Sequence, residues 1–505
     1  MSVRSMARVV ILAAVVAIAG GCGVVNDAAN RMANRDRIVS GDAQATPTTV
    51  GRAIDKVEDR FTGDGIGEDD EIVLAALQDV ETYWDNQFSD VFDGEPFEPV
   101  ESFYAYGPNT ETPPCTNPPP DYGDIAENAF FCPGADIIAW DTDTLIPALQ
   151  TRFGDFTLGI VMAHEYGHAL QDRVGFRGPT IAFEQQADCF AGAWAQWVRE
   201  GNAENFEIRL EDLDSSLAGF VQLRDTPDTS LLDPGAHGTA FDRVSAFQDG
   251  FFNGAEQCAG YDTANLPAVP LEEYQAGFFE SPPDAPFNRV EGFTVDDLDS
   301  FWTTVFDELG REWTSPDAKP LDPSGRDLPD CDGEPLDSAD VEGEALYCAA
   351  DDFVAWDAAE LMPELYSEIG DFAMSTVIGT QYSRAALAKL GDPADTGDAA
   401  DAFNTALRAD CLTGAWIASA VLQDRGDADE VPLGNEFFLT PGDLDEIVQS
   451  FLTEGDAFTQ LDTELGEPGT AFVRLAALRR GFTESLDQNT SMAGVSDCLE
   501  NFRRD

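Results

Sequence analysis

The sequence predicts an α+β fold, helix-dominated, laid out as a tandem duplication whose second copy is degenerate. Three observations predict it. Several segments recur in the same order in the two halves, apolar residues are spaced mainly at helical intervals, and eight cysteines divide four and four between the copies. A chain of 505 residues is also too long for one compact core.

The repeat is read residue by residue. Cys132-Pro-Gly-Ala-Asp-Ile-Ile-Ala-Trp140-Asp141 returns as Cys348-Ala-Ala-Asp-Asp-Phe-Val-Ala-Trp356-Asp357. In both copies a proline follows (Pro147, Pro363), then Gly-Asp-Phe (Gly154 to Phe156, Gly370 to Phe372), at the same spacing. Ala187-Asp188-Cys189 with Gly192 and Trp194 matches Ala409-Asp410-Cys411 with Gly414 and Trp416. Gly238-Thr-Ala-Phe-Asp-Arg243 matches Gly469-Thr-Ala-Phe-Val-Arg474, and the segment around Trp84 and Phe88 matches that around Trp302 and Phe306. The copies are expected at 66–283 and 284–505, meeting at a Pro-rich boundary near Ser281 to Pro286.

Within the first copy, 66–92 reads as a long amphipathic helix. Segments 129–131 and 136–140 read as short strands, the second rich in β-branched and aromatic residues. Segments 156–172, 180–200 and 239–253 read as helices.

Residues 1–22 form a targeting segment. Arg4 and Arg8 precede an apolar run, Val9 to Ala19, too short to span a bilayer comfortably. The run ends in Ala19-Gly20-Gly21-Cys22, which resembles a bacterial lipobox with Cys22 as the lipidated residue. Residues 23–65 read as a flexible tether. These features predict a lipid-anchored protein on the extracytoplasmic face of the cell membrane, its membrane partner reached through the acyl chains. With Cys22 set aside, an even number of cysteines in an exported chain points to disulfides. The pairs expected in both copies are Cys115–Cys132 with Cys331–Cys348, and Cys189–Cys258 with Cys411–Cys498. No CxxC pair supports cysteine as a metal ligand. The 28 Lys+Arg against 95 Asp+Glu leave a net charge of −67, which repels phosphate backbones and excludes nucleic acid as a partner.

Two of the three histidines lie in His164-Glu165-Tyr166-Gly167-His168. Four residues apart on a helix, their imidazoles share one face and can reach one ion, with Glu165 one step round beside it. A third ligand is offered by Glu184. Asp188 lies one turn further on, placed to accept the second ring proton of a metal-bound histidine. The apolar neighbours Ala187, Phe190, Ala191, Ala193 and Trp194 argue that these carboxylates are buried and need partners.

The ordered set HEYGHALQ, EQQADCFAGAW and AHGTAFDRV resembles the neutral zinc metallopeptidases, a bacterial group related to the thermolysin-like gluzincins, over roughly residues 66–260. The resemblance implies a zincin-like domain, one Zn2+ held by His164, His168 and Glu184, and Glu165 as general base. It also implies a peptide or protein as substrate, and His237 facing the site to stabilise an oxyanion or orient substrate. The second copy departs at each place. It carries Thr380-Gln381-Tyr382-Ser383-Arg384 for HEYGH, Ala406 for Glu184 and Pro468 for His237. The expected function is a membrane-anchored metallopeptidase. The alternative is a non-enzymatic, zinc-stabilised envelope binding or scaffold lipoprotein; the retained Glu165 separates the two, because a purely structural zinc site needs no adjacent base.

Overall fold

A computed structural model describes residues 53–501 apart from 63–65, 224–237, 262–265, 267–283, 326–327, 392–398, 423–438, 440 and 454–470. The chain divides into two compact units, one up to residue 268 and one from 269 onward.

The first unit runs β1 (Phe61–Thr62), α1 (Glu68–Val91), β2 (Ser102–Tyr106), β3 (Ala129–Cys132), β4 (Ile137–Asp141), α2 (Leu145–Phe153), α3 (Asp155–Val174), α4 (Thr180–Arg199), α5 (Leu210–Phe220), α6 (Ala240–Asn253) and α7 (Ala255–Ala259). The helices and strands read from the sequence form. β1, β2, α2, α5 and α7 are additions that its periodicity did not single out. The sheet has the order β1-β2-β4-β3, with β1 and β2 parallel to their neighbours and β3 antiparallel at the edge. Every residue of β4 is buried, as expected of a strand covered on both faces.

One carboxylate joins the start of α1 to this sheet. Asp70 Oδ2 accepts from the Gly67 N–H (3.0 Å), satisfying a donor that the helix terminus leaves open. Its Oδ1 accepts from Trp140 Nε1 (2.9 Å) and Thr142 Oγ1 (2.8 Å) at the end of β4. α6 starts on a capping box, with Thr239 Oγ1 accepting from the Asp242 N–H and Asp242 Oδ2 accepting from the Thr239 N–H. α3 is buried along most of its length, packed against α1, α4 and β3, while α4 packs on α6. The α4–α6 contact is a backbone contact. A Cβ at Gly192 would overlap the Phe247 carbonyl oxygen, and a Cβ at Gly250 would overlap that of Cys189. Cys115–Cys132 and Cys189–Cys258 are disulfide-bonded.

The second unit runs α8 (Phe287–Glu308), β5 (Asp317–Leu321), β6 (Asp330–Cys331), β7 (Glu334–Pro335), β8 (Ala345–Cys348), β9 (Phe353–Asp357), α9 (Leu361–Glu368), α10 (Asp371–Leu390), α11 (Ala399–Leu422), α12 (Pro441–Thr453), α13 (Ala471–Asp487) and α14 (Ser491–Asn501). Its sheet has the order β5-β9-β8, with β8 again antiparallel at the edge and β9 again buried throughout. Cys331–Cys348 and Cys411–Cys498 are bonded. Among the described residues no helix is long and apolar enough to cross a membrane. Cys22, with its targeting segment, residues 23–52 and Pro468 lie outside the described residues. The described end of the expected tether is not free chain: Val57 is buried and Phe61–Thr62 pairs with β2, because apolar residues there find a place in the fold.

Candidate metal centre

α3 and α4 supply the site. Their facing turns carry His164 and His168 on one helix and Glu184 on the other, and the three side chains offer ligand atoms within 4.8 Å of one another. His164 Nε2 lies 3.2 Å from His168 Nε2 and 3.3 Å from Glu184 Oε2, while His168 Nε2 lies 3.6 Å from Glu184 Oε1. Donor atoms about 2.1 Å from a tetrahedral ion stand about 3.4 Å from each other, so this triangle has the size that zinc coordination needs. Gly167 permits the approach of the two helices, since a Cβ there would press on Ala187 Cα at 2.8 Å.

Around the triangle stand the groups that orient it. His164 Nδ1 meets Asp188 Oδ1 at 2.6 Å. Asp188 is fully buried and takes Arg243 of α6 in a two-pronged pair, Nε to Oδ2 and Nη2 to Oδ1, each 3.0 Å. His168 Nδ1 meets Gln171 Oε1 at 2.9 Å. Glu165 Oε2 accepts from the Phe131 N–H of edge strand β3 at 2.9 Å, leaving Oε1 4.0 Å from His164 Nε2. Tyr166, on the opposite side of the helix, donates to Glu81 of α1 and accepts from the Val100 N–H just before β2, which ties α3 to both.

The electrostatics suit a cation. With Glu165, Glu184 and Asp188 ionised, three carboxylates against the Arg243 guanidinium leave two negative charges, which a divalent ion neutralises. Burial pulls His164 down, but Asp188, then Glu184 and Glu165, overcome it and lift the imidazole to about 10. His168 is opposed by burial and raised by Glu184 in the same way. Burial raises Glu165 and Glu184 adds to the rise, while both imidazoles and the Phe131 N–H work against it. Asp188 ends below its ordinary value: burial opposes ionisation, and Arg243 and His164 outweigh it.

Residues 37–261 match the family described as "Putative neutral zinc metallopeptidase". Zinc is the ion that this match implies, and the donor set of the matched segment, two imidazoles and one carboxylate, fits it. The chain is 28% identical over 165 residues to an uncharacterized protein of Mycobacterium tuberculosis H37Rv, covering 27% of this chain and 56% of that protein. It is 27% identical over 150 residues to the uncharacterized protein YpfJ of Escherichia coli K12, covering 25% of this chain and 50% of that protein. The chain thus spans about half the length of the curated relatives it matches. No solved structure matches.

Of the residues singled out in the sequence, His164, His168, Glu184, Glu165 and Asp188 come together, and His237 lies outside the described residues. Gln171, Arg243 and the Phe131 N–H were not assigned roles there. Arg243 had a signal. Both halves keep the aspartate and the arginine of this pair, Asp188 with Arg243 and Asp410 with Arg474, although the second half keeps none of the three ligands.

Proposed function

We propose that the first unit is a zinc-dependent peptidase, held to the outer face of a membrane through Cys22, and that the second unit is its degenerate copy. The observation that carries the reading is Glu165. A buried carboxylate adjoins the ligand triangle without belonging to it, one oxygen held by the Phe131 N–H and the other on the triangle's side. A purely structural site has no use for such a group.

Zinc held by His164, His168 and Glu184 would supply Lewis acidity toward a peptide carbonyl and lower the pKa of a coordinated water to about 7. The protein's own residues do the rest. Asp188 and Arg243 hold His164 with Nε2 toward the ion. Glu165, its pKa raised by burial, takes a proton from water and returns it to the leaving amine; the Phe131 N–H fixes the oxygen that does not carry that proton. His237 donates to the oxyanion. Peptide or protein is the substrate class.

The test is metal analysis of the purified chain together with a broad peptide-library digest of wild type and Glu165→Gln. The variant should retain zinc and lose cleavage. Zinc without any Glu165-dependent cut would replace this reading with the scaffold lipoprotein.

A further inference from the structure

The proposed zinc reading leaves one buried side chain of α3 without a role. Gln171 lies one turn beyond His168 on the same face of the helix and is 1% exposed. Its Nε2 donates to the Phe183 carbonyl oxygen of α4 at 2.7 Å, and its Oε1 stands 2.9 Å from His168 Nδ1. The carbonyl can only accept, so the amide's NH2 end must face Phe183 and its oxygen must face the imidazole. An oxygen there requires the proton of a neutral His168 to sit on Nδ1, which leaves the lone pair on Nε2, the atom 3.2 Å from His164 Nε2. Phe183 immediately precedes Glu184. One amide therefore spans the two helices that carry the ligands and touches the turn of each ligand it does not itself provide.

We infer that Gln171 is a positioning residue of the zinc site: it sets the tautomer and orientation of His168 and ties that ring to the α4 turn bearing Glu184. The inference rests on the zinc reading above.

Two comparisons sharpen it. The other imidazole is oriented by Asp188, a carboxylate whose charge is matched by Arg243. A second carboxylate at 171 would have no such counterion in the contacts of this side chain and would set two acceptors face to face at Phe183. A neutral amide orients the ring without that cost. In the second unit, the seventeenth residue of the equally long helix α10 is Leu387, buried to the same degree, and Arg384 stands where His168 does. The bridge between helices is thus dispensable to a fold of this kind. The amide is present where there is a ring to orient.

The experiment measures zinc affinity by chelator competition on the full chain, in wild type, Gln171→Leu and Gln171→Glu. Gln171→Leu installs the residue the second unit already carries and should weaken zinc binding about 10–100-fold. Gln171→Glu keeps an acceptor for Nδ1–H but sets two acceptors face to face at Phe183 and buries a charge without a counterion, so it too should bind zinc more weakly than wild type. Long-range 1H–15N spectra of the unmutated, zinc-loaded chain should show His168 protonated on Nδ1. Zinc affinity unchanged in Gln171→Leu, zinc affinity unchanged in Gln171→Glu, or a His168 protonated on Nε2 would each overturn the positioning role while leaving the zinc site intact. A wild type that takes up no zinc dependent on His164 and Glu184 would instead sink the reading beneath it, and this role with it.

Discussion

The two units answer the same burial problem in different ways. Each places an aspartate on its third long helix, fully buried, and each closes it with an arginine from a later helix: Asp188 with Arg243, Asp410 with Arg474, the latter at 2.8 Å for both contacts. Each stacks a phenylalanine on a tryptophan beside it, Phe156 on Trp194 and Phe372 on Trp416. The units diverge in what faces the aspartate. In the first, imidazoles and two more carboxylates leave a deficit of positive charge. In the second, Thr380, Gln381 and Ala406 take the places of His164, Glu165 and Glu184, and the half-buried Arg384 brings a positive charge of its own near Asp410 and Glu344; desolvation and Arg474 pull that guanidinium down to about 10. The aspartate–arginine pair is thus framework, common to both. The imidazoles, Glu184 and Glu165, which carry the proposed chemistry, are present in one.

The largest test of this division is catalytic. Glu165→Gln should lower peptide cleavage by about 10²–10⁴-fold, the span of a general acid–base contribution. Gln381→Glu, which restores a carboxylate at the corresponding place in the second unit, should add no activity. Any cleavage that depends on Gln381→Glu would break the comparison.

Next in size is the framework itself. Asp188→Asn and Asp410→Asn each strand a buried guanidinium, and each should cost its own unit about 3–5 kcal/mol, read as separate transitions by calorimetry. Only Asp188→Asn should also weaken zinc binding. A large cost in one unit and none in the other would show that the pair is not a common element.

Metal removal should follow. With free zinc at about 100 to 1,000 times its dissociation constant, the bound ion stabilises the first unit by about 3–4 kcal/mol, and a chelator should abolish that. The transition of the second unit should not move. A chelator-induced shift of both would contradict the charge argument.

The smallest effect is a pH dependence of the chelated chain. His164 is raised from its ordinary value to about 10 in the folded unit, so its contribution to stability is fully present below about pH 6.5 and disappears as pH rises through 10. His168, shifted in the same direction, adds to it. The first unit's melting temperature should therefore fall between pH 6.5 and 10, and His164→Thr, the residue at the matching place in the second unit, should flatten that slope. An unchanged slope in His164→Thr would assign it elsewhere.

Much of this was legible in the sequence for a simple reason. Histidines four apart on a helix, strands of β-branched and aromatic residues, and short motifs that recur in the second half are all local patterns, and local geometry is what periodicity reports. The ion's immediate donors fall in that class. What surrounds them does not. The Phe131 N–H that holds Glu165 lies 34 residues upstream, and Asp70 reaches Trp140 across 70. Gln171 was in plain view three residues past His168, but its meaning depends on where the Phe183 carbonyl falls, which only the packing of α3 on α4 decides. β2, Ser-Phe-Tyr-Ala-Tyr, has strand-favouring aromatics, but its five residues show no clean alternation, and its place in the sheet is fixed by pairing with β4 some 35 residues on.

The backbone contact between α4 and α6 carries a consequence for how much variation this centre tolerates. Asp188 and Arg243 project from two helices that touch through Gly192 and Gly250, with no room for even a methyl group at either. The distance from guanidinium to carboxylate, and so the aim of the imidazole beyond it, is calibrated by two hydrogen atoms. Alanine, elsewhere the mildest of replacements, would here act as a wedge, felt two residues removed from anything that binds.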